Sequence, residues 1–499
     1  MDLVSALGTG FAVALQPVNL LYCFAGVLVG TLVGVLPGVG PVAGMSLLLP
    51  LSYKAPPEAA IILLAGIYYG SMYGGSTTSI LINVPGEAAS IVTALDGHRM
   101  AQQGRAGPAL GMAAIASFIA GTLALVGLTL LAPALARIAV TFGSAEYFSL
   151  MLLGMTVLAY LSQGLISKAI LMAAFGIVLG LVGLDPMSAL PRLTFDRLEL
   201  VDGVGIVPIV VGLFGFAEIL AAIEQRITPT VVTTHLSGLM PNRDDWRRSG
   251  WPIARGSVLG FILGILPGGG AVIASFLAYG IEKRISKTPE RFGMGAIEGV
   301  AAPEAANNAA AGGAFIPLLT LGIPPNVIMA ILLSAFIVQG VQPGPLLMVQ
   351  RPDLFWGVVC SMYIGNIMLL ILNLPLVGLW VKLLRVPDVV LYPLIMLFCV
   401  IGVYATSGSI FDIYLMIGFG IFAHVLRSFG YEPAPLVLGY VLGPLLEINL
   451  RKALIISDGD WTFLVTRPIS ATFLALVVAV LLSALVPHWK AHRRALPTE

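Results

Sequence analysis

Two short stretches of this chain hold polar side chains that an otherwise apolar sequence does not need. The first is Ser76-Thr77-Thr78-Ser79, with Asn83 four residues on. Four hydroxyls and an amide could hydrogen-bond carboxylate oxygens or ligate Na⁺. Equally, Ser and Thr in membrane helices often bond a carbonyl one turn back. The second stretch is Asn307-Asn308, with Glu304 before it and Thr320 after it. Adjacent amides inside an apolar span suit ligand binding, and an intramembrane acid commonly marks an ion or proton path. Glu304 follows Pro303, so it could instead cap a helix start. Asn83, Glu304, Asn307, Asn308 and Thr320 form the candidate Na⁺ ligand set.

Each polar stretch adjoins a double glycine, Gly74-Gly75 in one case and Gly312-Gly313 in the other. Upstream of each stands a repeated phrase, GVLPGVG at 34–40 and GILPGGG at 264–270, 230 positions apart. Glycine and proline there should break a helix, which lipid tolerates only where the freed backbone lines a cavity or is covered by protein. A broken helix exposes N–H groups that attract anions and carbonyls that can coordinate a cation. Gly38, Gly40, Gly268, Gly269 and Gly270 would let backbone and ligand approach closely. The plainer alternative is tight helix packing by small residues. The candidate substrate-binding set is these five glycines, Gly74 to Ser79, Asn83, Asn307, Asn308, Gly312 and Gly313.

The elements that must position these groups are membrane helices. The chain has 499 residues, of which 58% are hydrophobic and 10% charged, and its mean hydropathy is +0.97. Soluble domains carry about 25% charged residues, and apolar stretches of spanning length recur from end to end. The expected fold is an all-α polytopic membrane protein. A net charge of +1 gives no sign of nucleic acid binding. Cys23, Cys360 and Cys399 lie in apolar segments without metal-ligand spacing, and the five histidines show none either. No Walker, HExxH or GxSxG pattern occurs, so an enzyme has little support and no cofactor is expected. The first cation is Lys54, which argues against a cleaved secretory signal.

Beyond the phrases four matches recur in the same order: the double glycines, Pro85 with Pro324, LMAAFGI at 171–177 with LMIGFGI at 415–421, and Asp185-Pro186 with Glu432-Pro433. They predict a first membrane repeat over 1–224, a basic connector over 225–255 and a second repeat over 256–499. Corresponding loops alternate in Lys and Arg content, which predicts that one repeat is inverted. The N-terminus is then periplasmic, and the 225–255 and 283–291 loops and the C-terminus are cytoplasmic. Arg451, Lys452 and Arg467 fit less well. Segments 40–53 and 271–282 are short, as for second arms of re-entrant hairpins or halves of broken helices near the midplane. Segments 57–100 and 295–340 look like interrupted spans.

The phrases GVLPGVGP, YGGSTTSILINVPGE, GILPGGGA and PEAANNAAAGGAFIPLLTLGIP closely resemble the large membrane subunit of the tripartite tricarboxylate transporter family, the TctA family. The resemblance covers nearly all of the chain. It implies a bacterial inner-membrane secondary transporter that works with a small membrane subunit and a periplasmic binding protein. It also implies a carboxylate substrate such as citrate, driven by Na⁺ or a proton gradient.

The leading expectation is therefore symport of a small organic anion with Na⁺ or H⁺. One bundle carrying the paired breaks would move against a scaffold. The alternatives are an uncoupled organic-anion channel or exporter, a membrane-embedded enzyme, and an assembly subunit.

Overall fold

The computed structural model describes residues 2–36, 40–161, 165–225, 238–268, 270–383 and 388–494. The first half contains α1 (Leu3–Ala14), α2 (Pro17–Val35), α3 (Gly40–Ser52), α4 (Pro57–Ile82), α5 (Ile91–Gln102), α6 (Ala106–Ala139), α7 (Ser144–Leu161) and α8 (Ile166–Gly180). A polar excursion follows. It includes β1 (Gly183–Leu184) paired antiparallel with β2 (Pro191–Arg192). Then come α9 (Ile206–Val210), a π-helical stretch at Val211–Phe216, and α10 (Ala217–Gln225).

The second half opens with α11 (Arg243–Ile265), α12 (Ala271–Ile285), α13 (Glu298–Gly313), α14 (Phe315–Leu321) and α15 (Val327–Val338). After the short α16 (Leu347–Gln350) come α17 (Pro352–Asn373), α18 (Val377–Leu383), α19 (Asp388–Ser407), α20 (Ile410–Ser428) and α21 (Ala434–Ile456). The single turn α22 (Phe463–Thr466) leads into α23 (Pro468–Arg494). Among the described residues, α2, α6, α17 and α20 are each long and apolar enough to cross a bilayer.

Glycine spacing dictates the first packing step. Gly26, Gly30 and Gly34 recur every four residues, so they form one stripe on α2. A Cβ on any of them would overlap a carbonyl oxygen of α4, that of Leu63, Ile67 or Ser71 respectively. The two helices therefore touch backbone to backbone, the contact that small residues permit in membranes. Partner numbers rise along both chains, so α2 and α4 run in the same direction. Helix α3, which joins them, must be the returning arm of a hairpin. The same geometry recurs 230 positions later. Gly256, Gly260 and Gly264 on α11 meet the carbonyls of Ala302, Ala306 and Ala310 on α13, and α12 is the returning arm.

Helix directions follow from ordered contacts. Helix α6 runs with α13, since Ser117 lies beside Asn308 and Ala124 beside Gly312. It runs against α17, since Asn366 bonds Thr122 while Tyr363 bonds Thr129. Helix α17 runs with α2, with Cys23 at Ser361 and Thr31 at Asn373. The two halves also exchange outer helices. Gly176 of α8 packs on Leu436 and Tyr440 of α21, while Gly212 in the π-helical stretch packs on Met416 and Gly420 of α20.

Several boundaries differ from the expected ones. The interruption in 57–100 falls at 83–87, past Gly74-Gly75, whereas 295–340 is interrupted at Ala314, directly after Gly312-Gly313, and again at 322–326. Helix α4 passes unbroken through Gly74-Gly75, because helical glycines there cost little once another backbone packs on them. The apolar run 11–36 is divided between α1 and α2 by Pro17, which takes a first-turn position. The proposed boundary at 255/256 falls inside α11. That helix starts at Arg243 behind a reciprocal Asn242/Asp245 capping box. Its first turns are polar, so a hydropathy window begins too late.

Candidate functional site

The two breaks share a backbone plan. Asn83 ends α4 in the left-handed region (φ 56°), and Gly322 ends α14 in the same region (φ 71°). A proline stands two residues later in each, Pro85 and Pro324. Four residues after the cap comes a side-chain acceptor that restarts the helix. Glu87 accepts the Ala89 N–H at 2.9 Å, and Asn326 accepts the Met329 N–H at 3.0 Å. Such caps satisfy donors that the first turn leaves unpaired.

Each break folds back onto the tip of its own hairpin. The Gly268 N–H donates to the Pro325 carbonyl at 2.9 Å. Gly86 sits so close to Gly34 that a Cβ would overlap the Gly34 carbonyl. Both tips and both breaks then meet at one cavity of about 390 Å³. Pro41 and Val42 at the start of α3 face it, as do Gly270 and Ala271 at the start of α12. Glu87 and Ala88 contribute from the first break, Asn326 and Ile328 from the second. Tyr68, Met72, Leu158 and Glu432 complete its wall. Helical segments from both hairpins and both breaks thus begin at this cavity, and helix starts carry partial positive charge. Apolar walls keep that field unscreened. The arrangement suits an anion.

A buried polar cluster stands behind Glu87. Glu304 is fully buried on α13 and takes hydrogen bonds from three helices. Ser76 Oγ (2.6 Å) and Ser117 Oγ (3.3 Å) donate to Oε2, and Thr93 Oγ1 (2.5 Å) donates to Oε1. Asn308 Nδ2 donates to Ser117 Oγ at 2.6 Å and to the Glu304 carbonyl at 3.1 Å. From the adjacent position, Asn307 Nδ2 reaches across to Glu87 Oε1 at 3.0 Å. Asn307 Oδ1 is buried without a partner. The cluster supplies hydroxyl, amide and carboxyl oxygens, the donor set of a hard cation.

Of the other expected site residues, Gly268 and Gly270 line the cavity and most of the rest lie apart from it. Thr77, Thr78 and Ser79 are buried in α4, where Thr78 bonds the Gly75 carbonyl and Ser79 bonds Ser90. Gly74 packs on the Thr31 carbonyl, Gly75 on Glu87, Gly312 on Ala124 and Gly313 on the Phe261 carbonyl. These four seat helices and caps. Gly40 and Gly270 both take positive φ, and a Cβ at Gly40 would meet nothing within 4 Å. Gly38 and Gly269 lie outside the described residues. Asn83 is exposed and borders a small outer cleft with His98 and Arg99, away from Glu304. Thr320 bonds the Ile316 carbonyl one turn back, at 2.7 Å.

The sequence reasoning missed Glu87, Thr93, Ser117, Tyr68 and Asn326. Glu87 and Asn326 had a readable signal, since each follows a proline and precedes an apolar run as a cap would. Thr93 and Ser117 had none, because only the three-dimensional packing brings their helices to Glu304.

The family described as "Tripartite tricarboxylate transporter TctA family" matches residues 20–438. The chain belongs to the TctA family. It is similar to an uncharacterized 52.8 kDa protein in the TAR-I ttuC' 3'region of Agrobacterium vitis, with 52% identity over 493 residues, 99% of this chain and 98% of that protein. It is also 55% identical over 234 residues to an uncharacterized protein in the TAR-II ttuC' 3'region of the same organism, covering 47% of this chain and 97% of that one. No solved structure matches. Membership identifies this TctA chain as a multi-pass membrane subunit of a tripartite transport system.

Proposed function

We propose that this TctA subunit imports a small organic carboxylate, tricarboxylate or other, by symport with Na⁺ or H⁺. The carrying observation is the single cavity at which both hairpin tips and both helix restarts meet. Carboxylate oxygens take the N–H groups of the helix starts near Gly40, Ala88, Gly270 and Val327. The cation takes the oxygens around Glu304, Asn307 and Asn308. Opposed helix directions in the two halves, together with alternating loop charge, support an inverted-repeat arrangement with a periplasmic N-terminus and a cytoplasmic C-terminus. A periplasmic binding protein delivers the substrate, and a small membrane subunit completes the inner-membrane assembly. The test is uptake of radiolabelled citrate and other carboxylates by proteoliposomes holding all partner subunits, with and without Na⁺ and proton gradients. Accumulation that persists after every cation gradient is collapsed would refute the coupling.

A further inference from the structure

We propose that Glu87 is shared by two sites: it walls the anion cavity and also ligates the coupling cation, so the cavity takes a multiply charged carboxylate only when that cation is bound. This rests on the symport reading above and assigns the residue through which its two ligands sense each other.

Three observations converge on Glu87. Its side chain borders the cavity at the start of the Ala88–Ser90 turn. Its Oε1 also faces the amide of Asn307, and that amide's Oδ1, on a residue only 1% exposed, has no partner. An orphaned carbonyl oxygen at such burial is costly unless a ligand takes it. Glu304, one turn earlier on α13, places a second carboxylate in the same cluster, with hydroxyls of Ser76, Thr93 and Ser117 around it. The acid and base groups around Glu87 are Tyr68 from α4, Glu304 from α13, behind the cavity wall, and Glu432 ahead of α21; no Lys, Arg or His is among the described residues lining the cavity. Among the described residues Glu87 and Glu304 bond only hydroxyls, an amide and a backbone N–H, and two such carboxylates disfavour an anion beside them by Coulomb repulsion. A cation between Glu87 and Asn307 Oδ1 removes that repulsion and satisfies the orphan. Among the described residues no three His, Cys, Asp or Glu side chains converge. Carboxyl, amide and hydroxyl oxygens instead fit a hard monovalent ion such as Na⁺.

The test uses the full-length protein in nanodiscs, with NaCl against choline chloride at constant ionic strength and thermal unfolding as the readout. Saturable stabilisation by Na⁺ is expected for the wild type. Glu87→Gln and Asn307→Ala should each weaken apparent Na⁺ affinity at least tenfold, while Asn83→Gly should leave it within twofold. In the wild type, citrate should stabilise only when Na⁺ is present; in Glu87→Gln it should stabilise in choline as well. Unchanged Na⁺ affinity in both Glu87→Gln and Asn307→Ala would overturn the proposal. So would citrate binding in choline that switches on merely by lowering pH from 8.5 to 6, which would make the ligand a proton. Should Glu87→Gln fail to fold, Asn307→Ala, which keeps both carboxylates, carries the test alone. Gradient-independent uptake by the wild type would defeat the symport reading while leaving a Na⁺ site at Glu87 standing.

Discussion

In the first break the residue four places after the left-handed cap is Glu87, and in the second it is Asn326. Both restart a helix by accepting an N–H, and both face the central cavity. Only one can carry charge. Each takes a neutral neighbour from the opposite half. Asn307 from the second half reaches Glu87, whereas Tyr68 from the first half lies beside Asn326. Duplicated backbone thus supplies matching N–H groups on two sides of the cavity, and side-chain divergence leaves only one of the two caps acidic. A symmetric cradle suits an anion with several equivalent carboxylates; an asymmetric charge suits one cation per anion.

The sharpest way to break this contrast is to make the second cap acidic. Asparagine and aspartate cap about equally well, so Asn326→Asp should preserve the fold. A second negative charge roughly 5 Å from a bound carboxylate, at an effective dielectric near 20, costs about 3 kcal/mol. Carboxylate affinity, read by uptake KM or by competition binding, should fall roughly 100-fold. Wild-type KM in this variant would mean that the charge difference between the breaks has no bearing on the anion.

The left-handed caps offer a gentler swap. A Cβ at Gly322 would come 2.5 Å from the Pro343 carbonyl oxygen, whereas Asn83 already carries its side chain at an exposed position. Gly322→Asn should therefore destabilise by about 1–3 kcal/mol through overpacking. The reverse change, Asn83→Gly, should cost at most about 1 kcal/mol. Thermal unfolding in one detergent compares them directly, and equal losses would show the two turns to be interchangeable.

A smaller effect should separate hydroxyls along α4. Ser76 donates to the Glu304 carboxylate, while Ser79 bonds the neutral Ser90. Hydrogen bonds to charged groups are worth about 1.5–3 kcal/mol and neutral ones about 1 kcal/mol. Ser76→Ala should lower apparent cation affinity about tenfold, and Ser79→Ala should change it less than threefold. The reverse order would move the cation away from Glu304.

The smallest effect belongs to the polar excursion after α8, which has no counterpart of similar length between α20 and α21. There a hydrogen bond from Arg451, the N–H groups of Met187 and Ser188, and the charge of Arg192 hold Asp185 well below the usual carboxylate range. A depressed folded-state pKa contributes stability above the ordinary value near 4 and loses it as pH falls through the folded-state value. Hydrogen-exchange protection factors around 183–205 should therefore be flat from pH 8 to 5. Asp185→Asn should lower them throughout that window. An equal protection factor in the variant at pH 7 would remove Asp185 as the anchor.

Much of the architecture was legible in the sequence because lipid leaves few choices. Apolar runs became helices, and the repeated phrases fall where α2 and α11 end and α3 and α12 begin. The polar cluster was legible only in part. Glu304, Asn307 and Asn308 stand out as polar groups in an apolar span, and they do converge. Asn83 and Thr320 looked alike in type and spacing, yet one ends a helix at an exposed cleft and the other satisfies its own helix. Periodicity does not report which way a residue faces beyond a break. Gly74-Gly75 shows a related limit, since glycine permits both a broken helix and a close contact, and only the neighbour decides; Gly312-Gly313 does end a helix.

The Glu87–Asn307 bond joins residues 220 positions apart. During synthesis at roughly 5–20 residues per second, some 10–40 seconds pass between the emergence of one partner and the other. For that interval Ser76, Glu87 and Thr93 exist without the helix that buries them. The nascent first half must keep them wet, at the mouth of the insertion machinery or at the membrane surface, until α13 arrives. The order of translation therefore makes the helix that completes the polar cluster also the helix that lets the first half leave the interface.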